Sequence, residues 1–190
     1  IPHKEDPPGF KDEWKDERRP FTFTCLPDEK YLELVIKIYS KHQGVTEQLG
    51  KLSTGDTLII REPFGTIAYK GKGIFIAGGA GITPFIAILR HLNREKKLKG
   101  NVLLFSNKTA QDIILEKELK KMLRENCHFT LTREEEQGCD FGRIDEQYLK
   151  QKVKNFTQCF YVCGPPPMVA GVGTYLQKLG AKVDTIVFEE

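Results

Sequence analysis

Two stretches of the chain carry residue types whose spacing could do chemistry. In Gly78-Gly79-Ala80-Gly81-Ile82-Thr83-Pro84, which follows an apolar run, missing side chains let a backbone come close to a pyrophosphate. Pro84 opens a helix there, whose first N–H groups have no partner and face any bound anion. Taken alone, G-x-G-x-x-P lacks a third glycine and also fits a plain strand-to-helix turn. The second stretch, Cys163-Gly164-Pro165-Pro166-Pro167-Met168, puts a thiol at a strand end before a rigid turn. A buried free cysteine is by default a small hydrophobe, and its place beside the glycine turn is what raises Cys163 above that default.

Three further groups are weaker. The second strand ends Ser106-Asn107-Lys108 with no acid to hold ribose hydroxyls, while Lys108 and Arg133 could meet an extra phosphate. That tilts the nucleotide choice toward NADP over NAD. In Arg19-Pro20-Phe21-Thr22, strand alternation sends Arg19 and Phe21 to one face and Thr22 to the other. Gly44-Val45-Thr46 precedes a short helical stretch and could bind a diphosphate, as could any helix start of this kind. No metal site is expected. The five cysteines contain no C-x2-C pair, and His3, His42, His91 and His128 lack a nucleophile at motif spacing. The odd cysteine count fits a reducing, cytoplasmic setting.

The elements that must position these groups follow from periodicity. From about Gly73, short apolar runs alternate with helical segments, which predicts a five-stranded doubly wound parallel sheet of order 3-2-1-4-5. The strands are expected at 74–77, 102–105, 129–132, 159–163 and 183–188. Helices are expected from Pro84, over 112–123, after an Asp145 cap and over 165–179. In this order the first and fourth strands are neighbours, so the two chemical turns share the crevice at their carboxyl ends. Residues 1–70 read differently. Runs at 20–25, 31–38 and 57–61 are strand-like and suggest antiparallel structure, residues 1–17 a polar loop, and Lys70-Gly71-Lys72-Gly73 a hinge.

Composition bounds the answer. The 190 residues carry 29 basic and 26 acidic side chains, a net charge of +3 that does not suggest nucleic-acid binding. No stretch reaches the roughly 20 apolar residues of a membrane span. The chain opens Ile1-Pro2 with neither Met nor signal segment, and reads as one whose beginning has been removed.

The four motifs, in this order and spacing, resemble those of the ferredoxin-NADP reductase superfamily, and within it flavodoxin or ferredoxin reductases and oxygenase reductase components. The resemblance runs from Arg19 to the end. It implies a truncated antiparallel β-barrel that binds FAD over residues 1–70 and an NAD(P)-binding α/β domain over 71–190. It also implies a flavoprotein reductase that passes a hydride from NAD(P)H to FAD and then single electrons to an acidic carrier such as flavodoxin or ferredoxin. The same architecture could instead serve as an electron-transfer subunit of a larger oxidoreductase.

By this resemblance Arg19 would bind the FAD pyrophosphate, Phe21 would stack on the flavin where the family usually has Tyr, and Thr22 would bond near its reactive nitrogen. Gly44, Val45 and Thr46 would hold the diphosphate. Gly79, Ala80, Gly81, Thr83 and Pro84 would receive the nicotinamide nucleotide, with Gly164, Pro165 and Met168 across from them and Cys163 beside the hydride carbon. Thr132-Arg133-Glu134 resembles the family's Ser-Arg-Glu segment for the extra phosphate of NADP. Two departures stand out: about three of six barrel strands are supplied, and the chain ends Val187-Phe188-Glu189-Glu190 without the family's terminal aromatic. Basic runs at Arg90, Arg94, Lys96, Lys97, Lys99 and at Lys117, Lys120, Lys121, Arg124 are expected on solvated helix faces, or as a surface that steers an acidic carrier.

Overall fold

A computed structural model describes residues 19–39, 44–60, 62–65, 67–182 and 186–188. Expectations for residues 1–17, His42 and Glu189 lie outside them.

Six parallel strands form one sheet in the order β4-β3-β2-β1-β5-β6. They are β1 (Gly73–Gly78), β2 (Val102–Asn107), β3 (Cys127–Leu131), β4 (Asp140–Phe141), β5 (Cys159–Cys163) and β6 (Ile186–Phe188). Removing β4 leaves the expected order 3-2-1-4-5. The correction is the sixth strand: two residues have no period to read, and they pair with Thr130 and Leu131 beside the left-handed Gly138 and Gly142. Every residue of β1 is buried, as both faces of a central parallel strand should be.

Helices close both faces. On one, α2 (Thr83–Arg94) and α3 (Glu116–Leu123) bury Phe85, Ile86, Leu89, Leu119 and Leu123 against Phe75, Leu103, Phe105 and Phe129. On the other, α4 (Glu146–Lys152) and α5 (Pro166–Lys178) place Leu149, Val172 and Leu176 against Ile74, Ile76, Leu104 and Val162. Asp145 caps α4 as expected, accepting from the Tyr148 amide at 2.8 Å. The helix expected over 112–123 is shorter. Thr109 and Asp112 close a capping box around a 3-10 turn, and Leu115 then takes a left-handed backbone, so α-helix begins only at Glu116.

Residues 19–69 hold α1 (Val45–Leu49) and, among the described residues, a single antiparallel bridge, Phe23 to Leu34. The expected antiparallel barrel is therefore not seen. Extended segments without neighbours have no ladder to complete, and Leu58, Ile59, Ile60 and Phe64 are exposed. This part is nonetheless fastened to the sheet domain. Arg90 on α2 donates to the Thr24 carbonyl, Glu33 and Glu118, while Lys37 pairs with Asp112 and Arg94 with Asp28.

The expected hinge at residues 70–73 is a pinned connection. The Tyr161 hydroxyl accepts from the Lys70 and Gly71 amides at 2.9 and 3.0 Å and donates to the Gly71 carbonyl at 2.7 Å. Tyr69 stacks on Tyr161 and Phe75 beneath it.

Candidate functional site

The two chemical turns meet. Ala77 of β1 pairs with Cys163 of β5, so the strands end side by side and both turns leave from the same edge. After β1 the chain makes a tight 3-10 turn, Gly79–Ile82, with Gly79 at φ 54 and the Thr83 hydroxyl donating to the Ala80 carbonyl. A Cβ on Gly81 would lie 2.6 Å from the Gly164 nitrogen, and one on Gly164 3.1 Å from the Gly78 Cα. These glycines are required because backbone packs on backbone there. The contact is direct, with backbone on backbone and no gap between the turns.

Met168 and Pro165 pack beneath Gly78, where a Cβ would reach within 2.9 Å of the Pro165 ring. Pro165 stands at the start of α5, its carbonyl accepting from the Met168 and Val169 amides. Pro84 is buried and Thr83 half-buried at the start of α2. Cys163 is 9% exposed at the rim.

A cavity of about 410 Å³ is lined by Arg19, Pro20, Phe21, Tyr39, Gly44, Val45 and Thr46. Two segments expected to bind one cofactor thus come together; Arg19, Pro20 and Phe21 all line the wall, so the expected strand alternation is not what places Arg19 and Phe21 there. The wall combines flat apolar rings with a guanidinium and a hydroxyl, which suits a ligand with an aromatic body and an anionic tail. Thr22 does not line it. Tyr39 was missed; its signal was an aromatic just past the alternating run 31–38. The five-residue α1 adds little dipole, so the positive charge on this wall comes from Arg19.

At the next strand ends, the Thr132 amide donates to the Asn107 carbonyl and the Arg133 amide to the Lys108 carbonyl, each at 3.0 Å. Those bonds lay the turns after β2 and β3 side by side and bring Lys108, Thr132 and Arg133 together. Neither Lys108 nor Arg133 makes an ion pair among the described residues. Glu134 is tied back instead, accepting from the Ala110 amide at 2.6 Å.

Cys127 and Cys139 have no nucleophilic setting. Burial pushes Cys127 up to about 12 and raises Cys139 as well. Burial also lowers His128. Among the described residues no three His, Cys, Asp or Glu side chains converge on a metal position, and no helix is long and apolar enough to cross a membrane.

The basic runs divide. Arg90, Arg94 and Lys120 are paired with acids, and their Glu118, Asp28 and Glu116 partners neutralise that face. Lys96, Lys99, Lys121 and Arg124 edge a groove of about 440 Å³ where the chain enters β2 and β3. It lies at the opposite end of the strands from the joined turns, and positive side chains there complement the C-terminal ends of α2 and α3.

Comparison with known proteins agrees with this geometry. Residues 75–174 match the family described as the oxidoreductase NAD-binding domain. NADH-cytochrome b5 reductase 2 of Homo sapiens is 29% identical, over 84% of this chain and 71% of the relative. Among solved structures, a flavohemoglobin from Malassezia yamatoensis with bound FAD and heme superposes with a TM-score of 0.76 at 23% identity, over 90% of this chain and 46% of that one. A ferredoxin NADP+ reductase from Neisseria gonorrhoeae with bound FAD and NADP gives 0.73 at 19% identity, over 90% and 78%. The chain thus spans about half of the flavohemoglobin and about seven-tenths of the human relative.

Proposed function

The chain belongs to the oxidoreductase NAD-binding domain family, within the ferredoxin-NADP reductase superfamily that its motifs resemble, and from that premise we propose that it serves a flavin-dependent NAD(P)H reductase. The observation that carries the reading is the direct meeting of the glycine turn with the Cys163 turn at the β1 and β5 ends. When bound, the nicotinamide nucleotide supplies a hydride that FAD accepts and passes on as single electrons.

The chain's own residues bind and align. Arg19 neutralises pyrophosphate, Phe21 and Tyr39 pack on the isoalloxazine faces, and Gly44, Val45 and Thr46 close the cradle. The backbone of Gly79, Ala80 and Gly81, with Thr83 and Pro84 at the helix start, receives the second nucleotide; Gly164, Pro165 and Met168 support that backbone from below. Cys163 sits at the rim and orients the nicotinamide, with its burial excluding water from that side. Thr22, off the cavity wall, acts on the flavin edge. Residues 19–70 supply part of the FAD barrel, whose remaining strands would cover Leu58, Ile59 and Ile60.

Lys108, Thr132 and Arg133 favour a nucleotide bearing an extra phosphate, as in the Neisseria reductase, whereas the human relative's name specifies NADH. The acceptor is a small acidic redox protein, flavodoxin or ferredoxin; the relative's name adds cytochrome b5 to the carriers worth testing. Anaerobic mixing of the FAD-loaded protein with NADH or NADPH should bleach the flavin, and ferricyanide should then turn over. Cys163→Ala should slow bleaching at least tenfold while nucleotide affinity changes less. Nucleotide binding with no ferricyanide turnover would favour an electron-transfer subunit instead.

A further inference from the structure

Asn107, the last residue of β2, is 5% exposed, and neither its Nδ2 nor its Oδ1 has a hydrogen-bond partner. Among the described residues no other buried side chain is left so. Its backbone carbonyl is satisfied, accepting from the Thr132 amide and hydroxyl. An unmet buried amide is a net cost to folding that a leucine of similar volume would not incur.

The amide's position is informative. Ser106 pairs with Gly78, so Asn107 lies one step further, beside the turn Gly79–Ile82. By alternation it shares a face with Leu103 and Phe105, which pack with Ile82 and Phe85 under that turn. On its other side stand Lys108, Thr132 and Arg133. A dinucleotide running from the joined turns toward those cations must cross the end of β2.

We propose that the Asn107 side chain hydrogen-bonds the adenosine-side ribose of the nicotinamide dinucleotide, and that its neutral amide lets this position take the ribose with or without a phosphate. The proposal rests on the nucleotide reading above. A ribose diol both donates and accepts, so it answers Oδ1 and Nδ2 together; a phosphate oxygen accepts from Nδ2 alone. A carboxylate here would accept from the hydroxyls and repel a phosphate, and that is the choice the amide leaves open. Reaching the ligand requires the side chain to swing outward, a move that breaks no hydrogen bond because it has none.

Calorimetric titration with ADP-ribose and 2′-phospho-ADP-ribose isolates this end of the ligand. Asn107→Asp should weaken the phosphorylated probe by about tenfold or more and ADP-ribose by less than about threefold, since a new charge acts only on the phosphate. Asn107→Leu should weaken both probes by about tenfold and, without ligand, melt above the parent protein, because an unmet polar group has gone. Equal effects of Asn107→Asp on the two probes would overturn the proposal. So would an Asn107→Leu protein that melts lower and binds both as the parent does, which marks the amide as internal scaffolding. A parent protein that binds neither probe would overturn the nucleotide reading itself.

Discussion

Phe75 and Ile59 are both large apolar side chains on runs the sequence marks as strand, yet Phe75 is fully buried and Ile59 is 73% exposed. Phe75 lies on a central parallel strand whose faces are covered by helices from the next hundred residues. Ile59 lies in a region that, among the described residues, makes one bridge of its own and is tied by ion pairs to Arg90 and Arg94 of α2 and to Asp112 of the turn before α3. A doubly wound unit brings its own cover, βαβ by βαβ. A barrel segment has no cover until its last strand pairs.

The largest test of that contrast is a pair of truncations. Phe75→Ala should cost about 3–5 kcal/mol in urea unfolding, and Ile59→Ala less than about 0.5 kcal/mol. Comparable losses would mean the first region also has a core. Next is Gly81→Ala, which forces a methyl against the Cys163–Gly164 backbone. It should cost about 1–3 kcal/mol and abolish nucleotide binding, while leaving FAD binding in the Arg19 cavity unchanged.

The join between the regions comes third. Tyr161→Phe removes the hydroxyl that satisfies two amides and a carbonyl at residues 70–71, and should cost about 1–3 kcal/mol, with faster amide exchange at those positions. The smallest effect is acid loosening of the clamp. Hydrogen bonds from Thr24 and Arg90 hold Glu33 below its ordinary 4.5, and Lys37 holds Asp112 below 3.8. A carboxylate with a lowered folded pKa stabilises above its unfolded value and loses that contribution as pH falls through the folded one. Exchange protection at Thr24 should therefore be constant above about pH 5 and decline toward pH 3.

Much of the sheet domain was legible because its signals are local: apolar runs for strands, Asp145 for a cap and Pro84 for a helix start. What escaped was set by neighbours. β4 exists only because β3 offers an edge, and α3 starts late because Thr109 and Asp112 close a turn ahead of it. The K-G-K-G stretch looks mobile in sequence, but a hydroxyl ninety residues away fixes it. At the site, the resemblance of the motifs assigned Arg19, Phe21 and Gly44–Thr46 to one cofactor, and strand order put the two glycine-bearing turns at one edge. Asn107 was legible only as a non-acidic strand end and Tyr39 only as a ring past an alternating run, since an amide or a ring acquires meaning from what surrounds it.

The central claim is that the turns after β1 and β5, joined at the strand ends, receive a nicotinamide nucleotide. Titrating the isotope-labelled protein with NADPH or NADH while following backbone amide shifts tests it residue by residue. The account predicts saturable shifts concentrated at Gly78–Thr83, Lys108, Arg133 and Cys163–Met168. Shifts confined to the basic groove at Lys96, Lys121 and Arg124, or none at millimolar nucleotide, would contradict it.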